Sequence, residues 1–103
     1  MEYKTITATI DAQCLEEVEK SLHALGVPGV SVTETKGYGV YKNYFQRDWL
    51  VTHARIQLHL QEERVDEAIE VIMSAAHTGS EDDGVIVVSP IESIYSIRER
   101  AEV

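Results

Sequence analysis

The chain has 103 residues, which fits one domain with a thin core and leaves no room for a second. Its 18 acidic residues outnumber 9 basic ones, so the formal charge of −9 repels phosphate backbones and excludes nucleic acid as a general partner. Cys14 is the single cysteine, and no signal-peptide pattern opens the chain, so we expect a cytoplasmic protein. No apolar run approaches the roughly 20 residues of a membrane-spanning helix, so we expect no insertion in a membrane.

The first part of the chain predicts a strand, a helix and a second strand. Residues 3–10 are rich in β-branched side chains and alternate loosely, which is typical of a strand. Asp11 is a candidate helix N-cap, and apolar residues over 13–25 recur with the spacing of one helix face. Gly26 follows the last periodic residue, in the usual position for ending a helix. A second strand is predicted over 30–38.

The middle of the chain predicts a long loop, a strand and a second helix. Residues 39–53 show no clean period and are expected to form a loop rich in aromatic side chains. Residues 54–60 alternate strictly between apolar and polar, which predicts a half-buried strand. Residues 62–77 have the apolar spacing of an amphipathic helix.

The last part of the chain completes a second strand-helix-strand unit. An acidic, turn-rich loop is expected over 78–84, followed by a short strand over 85–88 that Pro90 restricts to a sheet edge or a strand end. Residues 94–97 are a candidate for a final pairing strand. The order βαβ, loop, βαβ suggests an internal duplication. It predicts an α+β fold, a ferredoxin-like βαβ-βαβ sandwich with an antiparallel sheet, over residues 1–103 as a single domain.

Three short motifs occur in order along the chain. Residues 32–39 read VTETKGYG, residues 78–88 read TGSEDDGVIVV, and residues 97–100 read IRER. Together they resemble the PII signal-transduction (nitrogen regulatory protein P-II-like) family. Its patterns are V-T-E-x-K-G-(F/Y)-G at the end of the second strand and T-G-x-x-G-D-G-K-I-(F/V)-V in the B-loop, with arginines in the C-terminal loop.

The resemblance implies a homotrimer that binds an adenine nucleotide in clefts between subunits. It also implies a T-loop over 39–53, a B-loop over 78–84 and a C-terminal loop over 96–103. The T-loop would change conformation with the ligand and engage the cytosolic face of a membrane transporter or a metabolic enzyme. The expected nucleotide-binding residues are Gly29, Ser31, Gly37, Tyr38, Gly39, His59, Thr78, Gly79, Ser80, Asp83, Gly84, Arg98 and Arg100. The expected partner-binding residues are aromatic, namely Tyr41, Tyr44, Phe45 and Trp49.

Departures from the family patterns indicate which ligand to expect. Ser80 and Val85 stand where the family has lysines, Ser96 stands at an arginine position, and Val40 and Tyr41 follow Gly39 in place of the magnesium-coordinating glutamine. Each missing charged contact weakens phosphate binding by about 1.5–3 kcal/mol. We therefore expect ADP or AMP to be favoured over MgATP, with bicarbonate as a candidate co-effector and a transporter or carbon-metabolism protein as the regulated partner.

Two other functional classes have less support in the sequence. His53, His59 and His77 are candidate metal ligands, as in CutA-like or metal-efflux-associated trimers, but they lack the short spacing of a metal signature, so no metal site is predicted. No nucleophile–base pair, catalytic carboxylate pair or Walker-type loop is present, so we expect neither catalysis nor a cofactor. Cys14 is interpreted as a structural, half-buried thiol.

Overall fold

The computed structural model describes residues 2–37, 51–81 and 83–103. Within these ranges the main elements are β1 (Tyr3–Asp11), α1 (Leu15–Leu25), β2 (Ser31–Gly37), β3 (Val51–Gln61), α2 (Val65–Ala76) and β4 (Gly84–Pro90). The strands form one sheet in the order β2-β3-β1-β4. Each neighbouring pair is antiparallel, so β1 runs parallel to β2 with β3 inserted between them. This split βαβ arrangement confirms the predicted ferredoxin-like α+β fold.

The core lies between the two helices and one face of the sheet. Every second residue of β1 and β3 is buried on this face, as the alternating sequence predicts. These strand residues are Ile6, Ala8, Ile10, Ala54, Ile56, Leu58 and Leu60. The helices cover them with Val18, Leu22, Val65, Ala68, Ile72 and Ala76. No helix in the described ranges is long and apolar enough to cross a bilayer.

The other face of the sheet, which we call the open face, carries no helix. The strand pleat and the pairing register assign to it Tyr3, Thr5, Thr7, Thr9, Asp11, Ser31, Thr33, Thr35, His53, Arg55, Gln57, His59, Gln61, Val85, Val87 and Ser89. Its composition differs from that of the whole chain, because hydroxyl, amide and valine side chains dominate. Asp11 and Arg55 are the formally charged residues among those named, one of each sign.

The first helix begins and ends through backbone hydrogen bonds that the sequence signals. Asp11 is an N-cap, as predicted, but it caps a 3-10 turn over 12–14 by accepting a hydrogen bond from Gln13 N–H at 2.9 Å. At the other end Gly26 has φ +95° and donates to His23 O, while Val27 donates to Leu22 O. This pair of bonds is a Schellman motif, which needs the left-handed conformation that glycine adopts readily.

The third strand is longer than predicted and shortens the long loop. β3 starts at Val51, so residues 51–53 of the predicted loop 39–53 belong to the sheet, where His53 pairs with Thr35 of β2 and Asp11 of β1. This longer strand is not predicted from the sequence, because a histidine interrupts the apolar alternation. In the structure the His53 side chain is only 3% exposed. The hydrogen-bond ladder with β2 extends the strand beyond its alternating part.

The C-terminal segment forms a separate hairpin. β5 (Tyr95–Ser96) pairs with β6 (Ala101–Glu102), so the predicted final strand joins the end of the chain rather than the main sheet. Ser96 closes the turn, since its carbonyl accepts from Arg100 N–H at 2.9 Å and its hydroxyl accepts from Glu99 N–H at 3.1 Å. These local bonds favour a tight hairpin over a further strand of the sheet.

Candidate functional site

The loop between α2 and β4 is built around the carboxylate of Asp83. Its Oδ2 accepts hydrogen bonds from the backbone N–H groups of Thr78 at 3.0 Å and Gly79 at 2.9 Å. Its Oδ1 accepts from the Thr78 hydroxyl, which itself accepts from Ser80 N–H at 3.2 Å. His77 Nδ1 lies 3.4 Å from Oδ2. The backbone N–H groups at the start of the loop therefore bind a carboxylate from the end of the same loop.

This arrangement changes the expected role of the loop's backbone. The predicted phosphate nest would use N–H groups of the 78–84 loop, but those of Thr78, Gly79 and Ser80 already have acceptors within the loop. These three residues therefore shape the loop and do not offer free backbone donors. That Thr78, Gly79 and Ser80 contact a nucleotide stays a prediction.

The hydrogen bonds to Asp83 also control its ionisation. The Thr78 hydroxyl, followed by the backbone N–H groups of Thr78 and Gly79 and by nearby His77, lowers the pKa of Asp83 below its ordinary value. A carboxyl group whose pKa is lower in the folded state stabilises that state at every pH above its unfolded-state pKa of about 3.9. That stabilisation is lost as the pH falls through the folded-state pKa.

We expect the loop to loosen only in acid. In a pH titration followed by NMR, the amide resonances of Thr78 and Gly79 should show a transition below about pH 4 as Asp83 takes up a proton. Asp83→Asn should show no such transition. Glu81→Gln, which removes an exposed carboxylate in the same loop, should titrate like the parent. A parent-like transition in Asp83→Asn would contradict this role.

Gly84 brings the end of the loop against the first strand. It has φ +97°, and a Cβ atom at this position would lie 1.8 Å from the carbonyl oxygen of Thr9. Gly79 also has a positive φ, +86°, but a Cβ atom there would meet nothing within 4 Å. Gly84 is therefore required by close packing of β4 against β1, whereas Gly79 is required only by its backbone conformation.

A groove of about 710 Å³ runs between α2 and β4 and ends at this loop. Its walls are mainly apolar and include Ile72, Met73, Ala76, Val85 and Ile86. His77, Asp83 and Gly84 line it as well, so the groove and the loop share one edge of the sheet.

The other predicted nucleotide-binding residues lie away from this loop in the same subunit. Gly29 precedes β2 and Ser31 is its first residue. β2 is the opposite edge strand of the sheet and lies about 14 Å from β4 at the usual spacing between strands. His59 lies on β3, with its Nδ1 3.0 Å from Thr5 Oγ1 on the open face. Gly37 ends β2 opposite Val51.

The two predicted arginines belong to the C-terminal hairpin. Arg98 and Arg100 lie in its turn, where Arg100 has φ +56°. The hairpin follows Pro90, whereas the loop precedes Gly84, and the strand between them spans roughly 20 Å. The loop and the hairpin therefore adjoin opposite ends of β4. Tyr38, Gly39, Tyr41, Tyr44, Phe45 and Trp49 lie outside the described residues.

Sequence reasoning missed two contributors. The sequence indicates His77 only as a candidate metal ligand, whereas the structure shows that it contacts Asp83. The sequence signal for this contact is a histidine at the end of a helix, directly before a Thr-Gly turn. Ser96 was counted as a lost arginine, but it closes the hairpin turn. Among the described residues, no group of three or more His, Cys, Asp or Glu side chains could hold a metal ion.

The thiol of Cys14 lies near the same end of the sheet. Its Sγ is 3.9 Å from the carbonyl oxygen of Ala76. Burial, followed by the negative charges of Asp11 and Asp83, raises the pKa of Cys14. A raised pKa keeps the thiol protonated at neutral pH, which agrees with a structural role.

Comparison with known proteins gives a consistent result. The model of the family described as nitrogen regulatory protein P-II matches residues 3–101. The nitrogen regulatory protein P-II of Azospirillum brasilense is 37% identical over 92% of this chain and 91% of its own length. The nitrogen regulatory protein GlnK of Escherichia coli K12 is 30% identical over the same shares. The crystal structure of Arabidopsis thaliana PII bound to citrate matches with a TM-score of 0.86 at 22% identity, over 99% of this chain and 89% of that one.

Proposed function

Because this chain belongs to the nitrogen regulatory protein P-II family, whose members are regulatory, non-catalytic signal transducers, we propose that it senses adenine nucleotides for a partner protein. In this proposal ADP or AMP binds more tightly than MgATP in clefts between the subunits of a homotrimer. The observation that carries it is the separation of the expected phosphate contacts: the Asp83 loop lies at one end of β4, and Arg98 lies beyond the other.

The separation supports a site shared between subunits. Within one chain the loop precedes Gly84 and the hairpin that carries Arg98 follows Pro90, and the strand between these two residues spans roughly 20 Å. The Arg98 side chain is exposed and has no partner in the described part of the chain. A neighbouring subunit can bring this free guanidinium to the loop, where it would make charge-assisted contacts with phosphate.

The charges of the loop support a ligand with few phosphates. Asp83 is ionised and Glu81 is exposed beside it, while Ser80 and Val85 bring no cation. The backbone donors of the first loop residues are already used. Additional phosphate groups would therefore add repulsion that only the neighbour's arginines could offset, which favours AMP or ADP over ATP.

The open face supports self-association. A chain of net charge −9 resists contact with its own copies, yet the residues named on this face include one acidic residue, Asp11, and one basic residue, Arg55. Val85 and Val87 are 43% and 50% exposed there. A partly apolar face whose charges balance lets subunits meet with few carboxylates between them, and we propose it as the trimer contact.

The proposed function also includes a second effector and a partner protein. The Arabidopsis relative is named as bound to citrate, a small polyanion. We propose bicarbonate as a co-effector of this chain, and as its partner the cytosolic face of a transporter or an enzyme of carbon metabolism. The partner would engage the aromatic residues Tyr41, Tyr44, Phe45 and Trp49 in the loop that follows β2. We propose that the protein acts in the cytoplasm.

Native mass spectrometry tests the stoichiometry directly. We expect the mass of three chains and, on addition of ADP, up to three bound nucleotides per assembly. A monomer that binds ADP would show that one subunit completes the site, which contradicts the shared cleft. An assembly that binds no adenine nucleotide would contradict the sensor function itself.

A further inference from the structure

Ile97 is an apolar side chain that is almost fully exposed to solvent. It is 94% exposed and lies in the turn of the C-terminal hairpin, between Ser96 and Ala101. Hydrogen bonds to the carbonyl and the hydroxyl of Ser96 hold this turn, and at the foot of the hairpin Val103 N–H donates to Ile94 O at 2.9 Å. The isoleucine is therefore presented on a preformed turn, which lowers the entropy lost when it binds another surface.

The groove between α2 and β4 opens at the edge of the sheet. In the described ranges β4 pairs with β1 alone, so no further strand covers the outer side of the groove. Ile72, Met73 and Ile86 line it, and Met73 is 55% exposed. The exposure of Ile97 shows that the same chain does not fill the groove with this side chain. An apolar side chain of another subunit would leave water by entering it.

The charges beside the groove and in the turn are complementary. The groove ends at the ionised Asp83, and Glu81 is exposed in the same loop. The hairpin turn carries two arginines, Arg98 and Arg100, and one glutamate, Glu99, in a chain of net charge −9. A turn with an excess of positive charge is attracted to this acidic end of the groove, whereas most of an acidic chain is repelled by it.

We propose that Ile97 of one subunit binds in the α2–β4 groove of the next subunit and so positions Arg98 at the Asp83 loop. The turn and the groove are different surfaces of one chain, so the contact is head-to-tail and closes into a ring when it is repeated around a three-fold axis. The inference rests on the proposed function, because it supplies the contact that brings the neighbour's arginine to the nucleotide cleft. Ile97 is a positioning residue in this arrangement and touches no ligand.

Disulfide formation between introduced cysteines tests the contact. In a Cys14→Ser background, Ile97→Cys combined with Met73→Cys should give covalent dimers and trimers under mild oxidation, as seen by denaturing electrophoresis without reductant. Ile97→Cys combined with Lys20→Cys is the matched control, since Lys20 is exposed on α1 outside the groove, and it should stay monomeric on the gel. Equal cross-linking of the two pairs would overturn the contact.

The assembly should depend on the side chain of Ile97. Ile97→Ser should raise the chain concentration at which the assembly dissociates by about tenfold or more, because the apolar side chain no longer leaves water. Ile97→Leu should stay within about threefold of the parent. Val103→Ser removes a side chain that is 60% exposed at the foot of the hairpin, and it should behave like the parent. Light scattering during gel filtration at decreasing concentration measures this, and equal losses in Ile97→Ser and Val103→Ser would contradict the contact.

A titration with ADP tests the positioning role of Ile97. At concentrations where Ile97→Ser is still trimeric, its ADP affinity should be about tenfold lower than that of the parent, and Ile97→Leu should restore it. An unchanged affinity in Ile97→Ser would overturn the positioning role.

The outcomes also separate the groove contact from its premise. Monomers of the parent at every concentration would contradict the trimer and the shared cleft. A trimer that gives no Ile97–Met73 disulfide, and that Ile97→Ser does not weaken, would contradict the groove contact alone.

Discussion

Replacing Gly84 with alanine is expected to lower the free energy of unfolding by about 3 kcal/mol or more. The new methyl group would lie 1.8 Å from the Thr9 carbonyl oxygen, a backbone atom of the strand to which β4 pairs. The loss combines the roughly 1–2 kcal/mol needed to hold a residue with a Cβ atom at positive φ with the displacement of β4 from β1. Chemical denaturation at a fixed chain concentration measures it.

Gly79→Ala is the matched control for this substitution. Gly79 has nearly the same φ, but open space surrounds its Cβ position, so only the backbone term of roughly 1–2 kcal/mol is expected. Equal losses in the two variants would contradict the view that close packing against Thr9, rather than backbone conformation, makes Gly84 necessary.

Arg98→Ala is expected to weaken ADP binding by about tenfold to a hundredfold. This range corresponds to one lost charge-assisted hydrogen bond of about 1.5–3 kcal/mol to a phosphate group. Isothermal titration of the assembled protein measures it. The exposed turn that carries Arg98 is closed by bonds to Ser96, so the substitution should leave the fold unchanged.

Lys20→Ala removes the same charge from α1 and controls for the general field of the protein. Its ADP affinity should remain within about twofold of the parent value, because exposed charges farther away than a Debye length are screened. An Arg98→Ala variant that binds ADP as tightly as Lys20→Ala would place the phosphate contact on another residue.

The parts of the fold that the sequence predicts are those that depend on local periodicity. The strict alternation over 54–60 and the helix spacing over 13–25 correspond to buried faces of β3 and α1 because a pleat and a helical turn repeat within a few residues. The end of α1 could also be predicted, because Gly26 adopts the left-handed conformation that commonly ends a helix.

The parts that were missed depend on hydrogen bonds that apolar periodicity does not contain. His53 is a strand residue because β1 and β2 pair with it on both sides, which no local pattern announces. The Asp83 carboxylate accepts from the backbone N–H groups of Thr78 and Gly79 because the loop closes on itself. Ser96 joins a hairpin with the end of the chain through bonds within its own segment.

The nucleotide site could be predicted only as a set of residues. The motifs pointed to the loop at Thr78 and to Arg98, but a sequence does not contain the distance between them. The loop precedes β4 and the hairpin that carries Arg98 follows it. The proposed site therefore joins the loop of one subunit to the arginine of another, which makes the assembly part of the proposal.

The most direct test of the proposed function is a calorimetric titration of the same protein sample with ADP and with MgATP. We expect saturable ADP binding, near one site per chain, with MgATP weaker by about tenfold or more, because the acidic loop around Asp83 lacks the cations that a third phosphate group needs. MgATP binding as tight as ADP binding, or no heat with either nucleotide, would contradict it.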